Sequence, residues 1–399
     1  MDQQHTDISR PSPGNDIDKA VAAAEKALPG WARLPARKRA AIIRKFAALM
    51  DENKHKVSEV CGNSPSQVID RLLTFSPEAY DITNYFAGLV EIADGETSLN
   101  SPDSLNISMR QPFGVVASIT PWNFPTMIWC HHVVPASGAG NAVILKTSEK
   151  APLSEVLLAQ LAYQAGFPPG IINVVSGPGQ TGALLSAHMR RAIMQAAAKS
   201  NLKTVSLELG RKSPVLAFDD ANLEATAAAS VKPITFNSGQ VCTASSRLYL
   251  VSQLMLNLRL RDARASSTHM GPQADSKQAA AVARYLEAGL QDGQALSELN
   301  MEEVFGPVLV LHEFETEEEA VRRAYDTEYG VYASVFTKDV SRALRVVRAL
   351  EAGRNCTSPD GTYELPFGGW KASGIRSQKG SSDIFEFTQG KSVYINHSI

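Results

Sequence analysis

Four short phrases of this chain hold side chains able to do chemistry: Cys242 in FNSGQVCTASSRL, Glu208 in LELG, Asn123 in ITPWNFP, and Lys146 with Glu149 in ILKTSE. These types can supply a nucleophile, a proton acceptor, a hydrogen-bond donor and a cation. Each also has a plainer role. A cysteine in such a loop is more often a small buried hydrophobe, a Glu after a strand a solvated charge, an Asn in a Pro-rich turn a local cap, and a Lys at a strand end a group that points to water.

The elements that must position them alternate. From about Asp16 to Asp94 apolar residues return every three or four positions, as at Ile42, Ile43, Phe46, Leu49 and Met50, which predicts an α-rich lead-in. ETSLNSPDSLNISMR (Glu96–Arg110) reads as an edge hairpin or extension. VVASIT (Val115–Thr120), AVILKT (Ala142–Thr147) and INVVSG (Ile172–Gly177) are β-branched runs. Between the second and third lies a helix with Leu153, Val156, Leu157 and Leu161 on one face and Gly166 as its C-cap. Residues 111–145 include no Asp, Glu, Lys or Arg, yet Pro112, Pro121, Pro125 and Pro135 interrupt them, so two buried strands around a buried helix fit better than a membrane span.

Strand and helix in alternation predict an α/β fold with a doubly wound parallel sheet and a ligand at the carboxyl ends of its strands. No GxGxxG follows any of these strands. The nearest phrase, Gly177-Pro178-Gly179-Gln180-Thr181-Gly182, is as readily a plain strand-to-helix turn as a phosphate contact. A second α/β unit follows from TVSLELG and SPVLAF through SRLYLV, VLVLHEFE, a helix over Glu317–Tyr325 and ASVFTKD. The chain closes on KSVYIN, a β-prone tail suited to adding to a sheet.

Composition bounds the rest. The 399 residues suit two or three domains, and 39 Lys plus Arg against 41 Asp plus Glu leave a net charge of −2, with no basic surplus for nucleic acid. The four cysteines form no CxxC pair, which argues against a disulfide framework or a metal site and for a reducing compartment. The polar N-terminus resembles neither a signal nor a transit peptide, so a cytoplasmic location is expected.

QPFGVVASITPWNFP, GNAVILKTSE, GFPPGIINVVSG, SLELG, NSGQVCTASSRL, EEVFGPV and LPFGGWKASGI stand in one order over about the last three quarters of the chain. In this the chain resembles the aldehyde dehydrogenase superfamily. The resemblance implies oxidation of a small-molecule aldehyde to a carboxylic acid through a Cys242 thiohemiacetal and thioester. The Asn123 amide and the Cys242 N–H would hold the oxyanion, and Glu208 would act as general base. It places Lys146 and Glu149 on the adenosine ribose, Gly182 and Trp122 at the cofactor cleft, and Glu303 with Phe305 at the nicotinamide ribose. The carboxylate of Glu149 favours NAD over NADP, because it would repel a 2′-phosphate.

The expected organisation has three parts: an NAD-binding domain at residues 1–94 and 111–210, a catalytic α/β domain at 211–382, and a small β oligomerisation element at 95–110 and 383–399. The exposed KSVYIN edge implies a homodimer or homotetramer, with no nucleic-acid or membrane partner. The chain also departs from the family. After SAHM the strand and turn that normally face the pyrophosphate are missing. Further segments are missing between DGQALSEL and NMEEVFGPV and near EAGRNCTSPD. Arg211 replaces a glycine, which would be strained at positive φ. These losses leave a second expectation, a non-oxidative thiol esterase-like hydrolase or a catalytically impaired structural relative.

Overall fold

The computed structural model describes residues 14–62, 69–98, 100, 103–188, 205–251, 273–291, 299–356 and 362–396. The stretches expected to lack family segments after SAHM, around DGQALSEL and in CTSPD lie wholly or partly outside these residues. The chain divides into two compact units, one formed by residues 1–64, 69–203 and 379–399, the other by 65–68 and 204–378.

The first unit opens on four helices, α1 (Gly14–Ala32), α2 (Ala36–Glu52), α3 (Lys54–Gly62) and α4 (Ile69–Val90). In α2 the buried residues Ala40, Ile43, Phe46, Ala47 and Met50 form one stripe at helical spacing. Phe46 packs 4.9 Å from Trp129 between ring centroids, and Trp31 5.1 Å from Phe167. Next come β1 (Thr97–Ser98), β2 (Ser104–Pro112), β3 (Val115–Ile119), α5 (Pro125–Gly138), β4 (Ala142–Lys146), α6 (Leu153–Ala165), β5 (Ile172–Val175) and α7 (Gly179–His188).

Strands β3, β4 and β5 are parallel in that order, Val115 opposite Ala142 and Val143 opposite Ile172. The charge-free stretch therefore forms strand, helix and strand. The central β4 is buried throughout, whereas β3 leaves Ile119 40% exposed, so only one of the two strands is a fully buried one. Helix α6 also corrects its expected face. Leu153 is exposed and Glu155 is fully buried, so the inward stripe runs through Ser154, Glu155, Leu157, Leu158, Leu161 and Ala162. Leu157 and Leu161 stay inward as expected, and the buried Glu155 has a partner there, since Thr120 Oγ1 donates to its Oε1 at 2.7 Å. Gly166 ends the helix at φ 111°, the left-handed cap that its lack of a Cβ permits.

The tail pairs within its own unit. Thr388–Asn396 runs antiparallel to β2 from Thr388 opposite Pro112 to Asn396 opposite Ser104, and β1 lies on the far side of β2 as a short hairpin.

The second unit contains β6 (Leu207–Glu208), β7 (Ser213–Ala217), α8 (Leu223–Thr235), β8 (Ser245–Val251), α9 (Ser276–Gln291), β9 (Val310–Phe314), α10 (Glu317–Tyr325), β10 (Tyr329–Gly330), β11 (Tyr332–Phe336), α11 (Val340–Ala349) and β12 (Arg354–Cys356). Its five-stranded sheet is parallel throughout, in the order β12-β11-β7-β8-β9. Successive residues of β7 face opposite sides, Leu216 toward Ala320, Ala324 and Val346, and Val215 and Ala217 toward Leu223 and Ala221. Helix starts follow from local side chains: Asn222 accepts from Ala225 N at 3.0 Å and Asp339 from Ser341 N at 2.8 Å. Among the described residues, no helix is long and apolar enough to cross a membrane.

Candidate active site

In the first unit, the carboxyl ends of the parallel strands gather three expected cofactor residues. Lys146 ends β4 and does not point to water: its side chain is 5% exposed, and Nζ stands 3.3 Å from Glu149 Oε2, which is 52% exposed. Burial works against the Glu149 carboxylate, but its own backbone N–H and Lys146 hold it below the ordinary carboxyl range, so it is ionised at neutral pH. Gly182, in the first turn of α7, lies against Ile119 and Lys146: a Cβ there would stand 3.5 Å from Ile119 and 3.9 Å from the Lys146 stem. The phrase from Gly177 to Gly182 is thus the entry into α7 and sits beside Lys146.

Trp122 and Asn123 occupy the turn between β3 and α5. Lys150 Nζ lies 5.1 Å from the Trp122 ring centroid, and Asn123 is buried. Behind this turn Thr120 is held by two acceptors, Lys146 O at 3.2 Å and the Glu155 carboxyl. Burial raises the Glu155 pKa to about 8, so the carboxyl is largely protonated at neutral pH. No motif in the sequence marks Thr120 or Glu155 for a role.

In the second unit, Cys242 follows a left-handed run: Asn237, Ser238 and Gly239 have φ of 45°, 56° and 73°. Such backbone is strained for Ser and persists only when neighbours fix it. Gln240, fully buried, does so: its side chain donates to Asn237 O at 2.9 Å and accepts from Ala274 N at 2.9 Å. Gly239 allows the loop to meet Gly306 backbone to backbone, since a Cβ there would collide with the Gly306 carbonyl. The loop that precedes Cys242 and the loop carrying Glu303 and Phe305 are therefore packed together. Cys242 is a free, half-buried thiol against Val331, Tyr332 and Phe367.

Glu208 is exposed on β6, where it pairs with Gly374 of the strand Gly374–Ile375. The segment after it is tied at three points. Leu209 N donates to Ser373 O at 2.8 Å, Ser373 Oγ to Gly210 O at 2.6 Å, and the buried Arg247 Nη2 to Lys212 O at 2.6 Å. KASGI and SSRL thus supply two anchors of this segment, Ser373 and Arg247.

Arg211 corrects a second expectation. It is absent from the positive-φ residues, so no left-handed strain arises there. Its side chain instead lies on the two residues expected at the nicotinamide ribose. Nε stands 3.1 Å from Glu303 Oε1, and the guanidinium carbon lies 4.9 Å from the Phe305 ring centroid. Burial raises the Glu303 pKa, while Arg211 and Lys212 pull it down. Asn123, Trp122, Lys146, Glu149 and Gly182 belong to the first unit, and Glu208, Cys242, Glu303 and Phe305 to the second.

The aldehyde dehydrogenase family model matches residues 5–298 and 290–393. The chain belongs to that family. The two stretches meet where a family segment is expected to be missing. An aldehyde dehydrogenase of Emericella nidulans is 34% identical over 438 aligned residues, covering 95% of this chain and 87% of the relative, and one of Alternaria alternata is 33% identical over 440. Both alignments are longer than the chain, so these aldehyde dehydrogenases carry residues that it lacks. Among solved structures, the aldehyde dehydrogenase KauB from Pseudomonas aeruginosa superposes with a TM-score of 0.92 at 33% identity, covering 97% of this chain and 90% of that one. An indole-3-acetaldehyde dehydrogenase complexed with NAD+ reaches 0.91 at 32% identity, with the same coverage.

The residues present can be weighed against a dinucleotide. Where the resemblance expects the adenosine half they would fit: a buried cation, an ionised exposed carboxylate and a Cβ-free helix turn meet at the strand ends. Where the resemblance expects the nicotinamide half, Glu303 Oε1 is buried and makes no hydrogen bond, so it would have capacity for a ribose hydroxyl, but Arg211 stands on it.

Proposed function

We propose that the protein oxidises a small aldehyde to the carboxylic acid with NAD, using Cys242 as nucleophile. The observation that carries this reading is the preset Cys242 loop, locked by Gln240 and by the Gly239–Gly306 contact against the segment bearing Glu303. A thiol ionises more readily than a hydroxyl and is the stronger nucleophile, which suits attack on a carbonyl carbon. The side-chain amide of Asn123 and the backbone N–H of Cys242 donate to the oxyanion that forms. NAD, when bound, supplies the hydride acceptor that makes the reaction an oxidation. Glu208 then takes a proton from the water that cleaves the Cys242 thioester.

Lys146 and Glu149 would hold the adenosine ribose, with Gly182 and Trp122 beside them, and Glu303 and Phe305 the nicotinamide ribose. The ionised Glu149 supports NAD rather than NADP, because a 2′-phosphate would meet a second negative charge. The three-part organisation into dinucleotide-binding, catalytic and bridging segments stays part of this reading. It is supported by the pairing of β2 with the tail, whose Tyr394 is 76% exposed on an edge strand. A second copy would cover that edge in a cytoplasmic homodimer or homotetramer.

The test is NADH formation over a panel of aldehydes with wild type and Cys242→Ser. Activity confined to the wild type is expected, and equal activity in both would remove Cys242 from the mechanism. A second reading, hydrolysis of activated esters without oxidation, is favoured by the Arg211–Glu303 pair. It would stand if Cys242-dependent ester hydrolysis occurred in a protein that binds no NAD.

A further inference from the structure

Arg211 sits in a backbone segment hydrogen-bonded on both sides. Ser373 holds Leu209 and Gly210, and Arg247 holds Lys212. Glu303 Oε2 lies beside Gly210 and the Tyr329 ring, 3.1 Å from where a Cβ on that glycine would stand. The Arg211 side chain is 11% exposed and that of Glu303 26%, so the pair is shielded enough from water for the charges to hold each other.

The backbone N–H of Arg211 also hydrogen-bonds the Glu303 carboxylate, but the contact of its side chain is ionic. Arg211 Nε reaches 3.1 Å from Glu303 Oε1, yet that oxygen receives no hydrogen bond. The guanidinium offers charge without filling the lone pairs, while a vicinal diol offers hydrogen bonds without charge. The same guanidinium also lies over Phe305.

We propose that Arg211 is an intrachain competitor for the nicotinamide half of the dinucleotide: its guanidinium sits on both Glu303 and Phe305, and the ion pair must open before a ribose diol can reach Glu303. This rests on the NAD reading above and adds to it a residue that sets cofactor affinity. The contact is a latch on one half of the ligand. The adenosine half, built from Lys146, Glu149 and Gly182, does not feel it.

Calorimetric titration of the full chain with NAD, and separately with AMP, tests this in wild type, Arg211→Gly and Arg211→Met. Methionine keeps most of the bulk and removes the charge. Loss of an ion pair that must open on binding is expected to tighten NAD about tenfold in both variants, with AMP affinity unchanged. NAD affinity unchanged in both variants, or tightened by glycine alone, would overturn the competitor. Absence of binding of both NAD and AMP in all three proteins would instead overturn the NAD reading itself.

Discussion

The Ser373 hydroxyl donates to the Gly210 carbonyl at 2.6 Å and accepts from the Gly330 N–H at 2.9 Å, so one buried side chain ties the strand of Glu208 to β10. Ser373→Ala would leave a half-buried carbonyl and a buried N–H without that partner, at a cost of about 1–3 kcal/mol. The thermal midpoint is expected to fall by several degrees. Because Gly210 lies two residues from Glu208, kcat should fall with KM little changed, as steady-state kinetics would show.

Glu208→Gln keeps the shape of the side chain and removes the base. Stopped-flow mixing with aldehyde and NAD should show an intact burst of NADH followed by a slow steady state, since thioester hydrolysis becomes limiting. A burst lost together with turnover would place Glu208 in the first half-reaction as well.

Glu155 gives the stability a pH dependence of definite sign. Its carboxyl titrates at about 8 in the folded protein, chiefly through burial, against 4.5 when exposed. The folded state therefore retains the proton, and the stabilisation is fully present below pH 4.5 and lost as pH rises through about 8. Glu155→Gln can still accept from Thr120 and has no proton to lose. Its thermal midpoint should exceed that of the wild type at pH 9 and approach it at pH 5.

His131 acts in the opposite direction. It is buried, both ring nitrogens lack a hydrogen bond, and burial, then Lys379 and His132, push its pKa well below 6.5. A base depressed in this way contributes stability above the unfolded value of 6.5 and loses it as pH falls below that value. His131→Leu removes both the orphaned nitrogens and the titration. The acid limb of the stability profile should flatten, with a higher midpoint at pH 5.5 measured by differential scanning fluorimetry.

Exchange of Glu149 for Gln is expected to narrow the preference between the two dinucleotides. The neutral amide still reaches a ribose hydroxyl but no longer repels a 2′-phosphate. The ratio of kcat/KM for NAD to that for NADP should drop, mainly through tighter NADP.

Periodicity and side-chain type were enough to reveal the helical lead-in, the three parallel strands of the first unit, the helix over Glu317–Tyr325 and the left-handed cap at Gly166. Each is decided within a few residues, by apolar spacing or by the freedom of a glycine. Ordered motifs were likewise enough to name the family. What the sequence could not determine was the fate of individual charges, because a charged side chain is buried or exposed according to partners far along the chain. The Lys146 stem lies against Gly182, 36 residues on, and the inward carboxyl of Glu155 meets Thr120, 35 residues before it. Ser373 and Gly210 lie 163 residues apart in sequence, and Arg211 and Glu303 also come from separate loops. Only the folded backbone brings such groups within bonding distance, and there desolvation and pairing, which no local pattern encodes, choose the outcome.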